Sequence, residues 1–150
     1  MRSYSFIILF SCFSLISFSQ HYDATSNALG GCGLTKHNVW SNFTNQAGLA
    51  EINQLIIGAG TENSFGIKEL STHTAVFALP VNGGVFGLNI AYTGFELYNK
   101  TKIGLAFGKR LSKSFNVGIQ IDYLGMYADE STNNRNKFTF EIGAQKRLMQ

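Results

Sequence analysis

Large apolar residues alternate with small or polar residues in three consecutive segments between Val85 and Tyr127. The large residues stand at every second position: Phe86, Leu88, Ile90 and Tyr92, then Ile103, Leu105 and Phe107, then Phe115, Val117, Ile119, Ile121 and Tyr123. Successive side chains of a β-strand point to opposite faces of the sheet. The alternation therefore predicts three strands with one bulky apolar face and one small or polar face.

The pattern continues on both sides of this region, and we predict six strands in all. Their approximate bounds are 53–62, 68–80, 85–95, 101–111, 115–128 and 137–148. Between the second and third strands, Asn82-Gly83 favours a type I′ hairpin turn. A turn centred there pairs Leu79 with Phe86 and brings both apolar sets to one face. The predicted fold class is all-β, an antiparallel meander of about six strands.

The composition of the small face predicts where such a sheet is located. A soluble sandwich buries its bulky face and charges the other one, whereas here the opposite face is rich in glycine. Charged residues make up 14% of the chain, below the quarter that is usual for soluble domains. Strands of roughly ten residues can cross a bilayer when tilted. We therefore predict a partial or small transmembrane β-barrel with its bulky side chains toward lipid.

The first nineteen residues have the composition of a secretory signal peptide. Arg2 supplies the positive charge, residues 6–18 are mostly apolar, and cleavage is expected before Gln20. The remaining chain divides into a Gly/Asn-rich, plug-like segment, residues 20–50, and barrel strands, residues 51–150. Cys32 is then the only cysteine, which excludes an internal disulfide. The basic residues are scattered, so no nucleic-acid partner is predicted.

The plug-like segment resembles a known family. Residues 29–34, LGGCGL, followed by residues 39–50, VWSNFTNQAGLA, resemble the N-terminal signature of FadL-like outer-membrane proteins, and within that group the PorV/PorQ-type proteins of Bacteroidetes. Gln46 stands where that pattern has proline. The matching positions are Gly30, Gly31, Gly33, Asn45, Ala47, Gly48 and Leu49. The resemblance implies an outer-membrane β-barrel, with a part in type IX secretion or in the transport of hydrophobic compounds.

Six strands are fewer than the eight of the smallest bacterial barrels. We therefore expect the chain to be part of a longer barrel, or the sheet to be closed by partners or by residues 20–50. Open edges would otherwise favour aggregation.

Charged residues on the small face are the candidates for chemistry. Asp122 and Glu141 would lie nearly opposite each other if the last hairpin were centred near Thr132, and a close carboxylate pair can serve acid–base catalysis. The alternative is a lumen-facing charge network, comprising Lys102, Arg110, Asp122, Glu141 and Arg147, because charges inside a barrel must be paired or hydrated. We predict the network, with no catalytic residues and no cofactor. The spacing of His21, His37 and His73 indicates no metal site.

Three functions remain open at this point. The first is a non-enzymatic outer-membrane barrel in transport or secretion, whose partners are membrane lipid and other outer-membrane or secretion-system subunits. The second is a secreted or periplasmic β-sheet module that packs its apolar face on a partner. The third, an outer-membrane hydrolase, has no supporting group of residues.

Overall fold

The structure, a computed structural model, describes residues 26, 28, 30, 32–128 and 135–147. The predicted signal peptide, residues 1–19, lies outside these residues, as does Gly31. Within the described part, three short 3-10 helices span Val39–Phe43, Gln46–Glu51 and Lys68–Leu70. The strands are β1 (Ile56–Asn63), β2 (Ser71–Val81), β3 (Gly84–Phe95), β4 (Tyr98–Ser112), β5 (Phe115–Ala128) and β6 (Arg135–Lys146).

The six strands form one antiparallel meander in the order β1-β2-β3-β4-β5-β6, and the sheet is not closed. The all-β prediction is confirmed, and each predicted strand overlaps an observed one. The predicted pairing of Leu79 with Phe86 is also confirmed. The turn itself differs, because a type I′ turn needs positive φ at both central residues. Only Gly83 has one, with φ of 103°.

One face of the sheet carries the bulky side chains in three continuous rows, which we call the apolar rows. The register aligns Leu79, Phe86, Phe107, Ile119 and Ile142 in the first row, Ile57, Phe77, Leu88, Leu105, Ile121 and Phe140 in the second, and Ala59, Ala75, Ile90, Ile103, Tyr123 and Phe138 in the third. Most of these side chains are exposed, including Ile119 at 59% and Ile142 at 86%. This face contacts no other described part of the chain over most of its area.

The buried core lies on the opposite face of the sheet. There the strands contribute small apolar side chains, and the residues just before β1 contribute larger ones. The strand residues are Val76, Ala78, Val85, Ala91 and Ala106, and the larger partners are Val39, Phe43, Leu49 and Ile52. Within the described part of the chain, the small face of the sheet is therefore buried and the bulky face is left uncovered.

Candidate functional site: the segment that covers the small face

Residues 33–52, here called the cover segment, lie across the small face of the sheet. Asparagine caps begin its two 3-10 helices. The Asn38 side chain accepts a hydrogen bond from the backbone N–H of Trp40 at 3.1 Å, and the Asn45 side chain accepts one from Ala47 at 3.2 Å. Such caps satisfy N–H groups that have no partner within the helix. They fix where each helix begins and hence which side chains meet the sheet.

A row of three glycines receives the second of these helices. Gly108, Gly118 and Gly143 are neighbours across β4, β5 and β6. A Cβ atom at Gly108 would lie 2.7 Å from the backbone oxygen of Gln46, and one at Gly118 or Gly143 would lie closer still to Gln46 or Asn45. At Gly108 and Gly118 the closest atoms belong to the backbone of the cover segment, so only glycine permits this contact between backbones. At Gly143 the closest atom is Oδ1 of the Asn45 side chain.

The first helix is fixed to the sheet by a buried asparagine. Asn42 donates a hydrogen bond from its side chain to the carbonyl of Phe77 in β2 at 3.3 Å, and its own carbonyl accepts one from the Asn89 side chain in β3 at 3.1 Å. Both asparagines are fully buried. Gly87 leaves the space for Asn42, since a Cβ atom at that position would overlap the Asn42 side chain.

Lys102 lies between two carboxylates and forms the first charged cluster. Its Nζ is 3.5 Å from Oδ2 of Asp122 and 3.2 Å from Oε1 of Glu141. Gln120 donates a hydrogen bond to Asp122 at 2.8 Å, and Gln46 of the cover segment donates one to Glu141 at 2.7 Å. Asp122 is completely buried. The cluster therefore connects three strands and the cover segment through charge-assisted hydrogen bonds.

Glu51, at the end of the cover segment, forms the second charged cluster. It pairs with Arg110, it lies 3.6 Å from the guanidinium of Arg147, and it accepts a hydrogen bond from Asn116 at 2.9 Å. The hydrogen bond from Asn116 outweighs the opposing effect of burial and, with the two guanidinium groups, lowers the pKa of Glu51 below its ordinary value of 4.5. The carboxylate is therefore held in its charged form, facing the cations of β4 and of the residue after β6.

The five predicted network residues thus divide into two clusters. Lys102, Asp122 and Glu141 meet in one, whereas Arg110 and Arg147 meet Glu51 in the other. The register between β5 and β6 also differs from a hairpin centred near Thr132. Gln120 lies opposite Glu141, and Asp122 lies opposite Thr139. The two carboxylates still share one face, with Lys102 bridging them.

The residues quoted for the family resemblance have definite structural roles. Ala47 and Leu49 are completely buried, and a Cβ atom at Gly48 would overlap the backbone oxygen of Lys36. Asn45 caps a helix, as described above, and Gly30 has a positive φ of 61°. A Cβ atom at Gly33 would contact Ser26. These positions therefore shape the cover segment and its contact with the sheet.

Sequence reasoning missed Gln46, Glu51 and Asn42, the residues through which the cover segment contacts the strands. Their signal was weak, since polar residues in a predicted loop are ordinarily solvated. The spacing of Gly108, Gly118 and Gly143 on the small face could have indicated that a backbone packs there.

Residues able to ligate a metal or act as nucleophiles are dispersed. His73 contacts Thr61 at 3.1 Å, His37 lies near Glu51, and Cys32 is exposed. His21 lies outside the described residues. Across residues 32–128 and 135–147, no group of three or more His, Cys, Asp or Glu side chains is arranged to hold a metal ion.

Comparisons with protein-family models, with curated proteins and with solved structures find no match to this chain. None of the helices in the described part of the chain is long and apolar enough to cross a membrane.

Proposed function

We propose that this chain forms part of the wall of an outer-membrane β-barrel that acts in transport or secretion and is not an enzyme. In this proposal the three apolar rows face lipid, the small face lines the interior, and the cover segment occupies that interior. The transport of hydrophobic compounds and a role in type IX secretion are the activities that the family resemblance implies.

The exposed apolar rows carry the proposal. Together they run across all six strands without a charged residue, the first row covering β2 to β6. Their border on one side consists of the polar or amphipathic residues Thr61, His73, Tyr92 and Thr101. Soluble monomers rarely expose apolar patches of more than a few hundred Å². Transmembrane barrels carry an apolar band of this kind on their outer surface, flanked by aromatic residues.

The opposite face supports an interior location for the cover segment. Besides the apolar core, its contacts with the sheet include polar or charged ones at Glu51, Gln46 and Asn42. Buried charges in a barrel interior must be paired or hydrated, and those of Asp122 and Glu141 are paired with Lys102. We expect the cover segment to determine which solutes enter the interior.

A pair of arginine substitutions on β4 tests the lipid-facing surface. Leu105 lies in the middle apolar row, and Thr101 lies on the same face at its polar border. Arginine on the lipid face costs about 2–4 kcal/mol at the bilayer midplane and about 0–1 kcal/mol near the interface. We therefore expect L105R to reduce the membrane-inserted yield strongly and the matched control T101R to leave it nearly unchanged.

The measurement is the amount of full-length protein that resists carbonate extraction and is released by detergent. If wild-type protein is released without detergent, the chain is the secreted or periplasmic module of the alternative hypothesis. If L105R and T101R insert equally well, the apolar rows do not face lipid. Uptake of a fluorescent fatty acid by cells that produce the wild-type chain or L105R then tests transport of hydrophobic compounds.

A further inference from the structure

Three lysines lie along one edge of the apolar rows, and we call them the lysine border. Lys109 follows Phe107 on the apolar face of β4 and is paired with Val117. Lys146 is paired with Phe115 at the end of β6, and Lys113 lies in the turn between β4 and β5. All three side chains are exposed. Lys109 therefore lies one step beyond the first apolar row, Lys146 lies two steps beyond it, and Lys113 lies in the adjoining turn.

These ammonium groups are available for a ligand. Among the described residues, none of the three is within ion-pair distance of a carboxylate. The nearest acidic group along the inner face, Glu51, is already engaged by Arg110 and Arg147. Within the described part of the chain, the local charge is therefore positive and uncompensated.

The two borders of the apolar rows differ in charge. At the opposite border the register aligns Thr61, His73, Tyr92 and Thr101, which supply hydroxyl groups and an imidazole but no lysine or arginine. A bilayer places its phosphate groups at the edge of its hydrocarbon layer, and lysines beside an anionic lipid surface are attracted to it. Lys100 and Lys137 lie near that border, but their register positions, opposite Met126 and Leu124, belong to the small face. On the apolar face of the described sheet, cations that fit an anionic headgroup therefore lie at one border and not at the other.

We infer that the lysine border binds the phosphate headgroups of acidic phospholipids and that this end of the sheet lies in the leaflet that contains them. The inference rests on the proposed membrane location. It adds the class of lipid that the surface selects and the direction in which the strands cross the bilayer. The aromatic ring of Phe115, beside Lys146, would lie at the same depth, where aromatic side chains favour the interface.

The test compares lipid binding by three forms of the full chain in detergent. Native mass spectrometry gives the affinity for phosphatidylglycerol and for phosphatidylcholine with the same acyl chains. The variant K109Q/K113Q/K146Q removes the lysine border. The matched control K68Q/K100Q/K137Q removes the same charge from exposed lysines elsewhere in the described chain.

We expect wild-type protein and the control to prefer phosphatidylglycerol, and the border variant to lose that preference by about five-fold for each lysine that contacts the lipid. Equal preference in all three forms, or equal losses in the two variants, would overturn the inference. Carbonate extraction of the same three forms is measured in parallel. Failure of the wild type to resist extraction overturns the proposed function, whereas resistance without a headgroup preference overturns only the lysine border.

Discussion

Two glycine-to-alanine substitutions in β5 give a sharp test of the contact between the cover segment and the sheet. Gly118 lies beneath the backbone of Gln46 and Ala47, and a Cβ atom there would come within 2.5 Å of the Ala47 nitrogen. Gly125 is on the opposite face, and its nearest neighbour would be a Tyr123 ring carbon at an ordinary 3.4 Å. Neither glycine has a positive φ, so alanine is compatible with the backbone at both positions.

Two free-energy contributions determine how much the stability of the two variants should differ. Replacing glycine by alanine stabilises a protein by about 0.4–1 kcal/mol through the unfolded chain, and this gain is common to both positions. Overpacking adds a cost of about 1–3 kcal/mol, and only G118A incurs it because a peptide backbone cannot rotate away as a side chain can. We therefore expect G118A to be about 1–3 kcal/mol less stable than G125A.

Urea unfolding of the detergent-solubilised variants measures that difference. Hydrogen exchange locates it, because the amides of Gly48 and Ile52, which donate within the cover segment, should exchange faster in G118A alone. Equal stability of the two variants, with unchanged exchange at both amides, would refute the docking of the cover segment on the glycine row.

Further substitutions test the polar contacts of the cover segment. Folding lowers the pKa of Glu51 below 4.5. The stability that the Glu51 carboxylate contributes is therefore complete above pH 4.5 and is lost as the pH falls through its pKa in the folded protein. E51Q should remove this part of the pH dependence in acid unfolding curves. Q46A should cost about 1.5–3 kcal/mol in urea unfolding, because it removes a hydrogen bond to a charged carboxylate. K102M should cost about 3–5 kcal/mol, because it leaves two carboxylates without their cation, whereas D122N should cost less, because Glu141 still pairs with Lys102.

At position 46 this chain has glutamine where the pattern that it resembles has proline, and the backbone there is compatible with either residue. Gln46 is the first residue of its helix, and the preceding Asn45 is extended, with φ of −154° and ψ of 104°. Proline favours both features, since its fixed φ suits the first helical position and it requires an extended residue before it. We expect Q46P to retain the fold and to lose only the hydrogen bond to Glu141. Its loss of stability in urea unfolding should therefore match that of Q46A, which loses the same hydrogen bond.

The strands could be predicted from the sequence because their pattern depends on local geometry. The alternation over Phe115–Tyr123 has the period of two that only a β-strand shows. The turn residues Asn82-Gly83 fix the register of the hairpin before any long-range contact is known. The turn type was wrong because Asn82 does not adopt the positive φ that a type I′ turn requires. The last hairpin was shifted by two residues, which preserves the face of every side chain.

The contacts of the cover segment could not be predicted from the sequence, because they join residues that are far apart along the chain. Gln46 and Glu141 are 95 positions apart, and Asn45 and Ala144 are 99 apart. The charge network was predicted as one group from a shared face. It divides in two because Lys102 and Arg110 lie near different ends of β4, and Glu51 pairs with Arg110 and Arg147 at one of those ends.

The burial of the small face and the exposure of the large one have a common origin. The alanines and glycines of the inner face leave room for Leu49 and Phe43, so the cover segment supplies the bulk that the strands lack there. The large residues that alternate with these small ones point to the opposite face of the sheet. Most of them are exposed, and no described part of the chain covers them. Burying such side chains is worth about 25 cal/mol for each Å² removed from water. In the proposed function, a lipid bilayer covers these side chains, because it is apolar, continuous and as wide as the sheet.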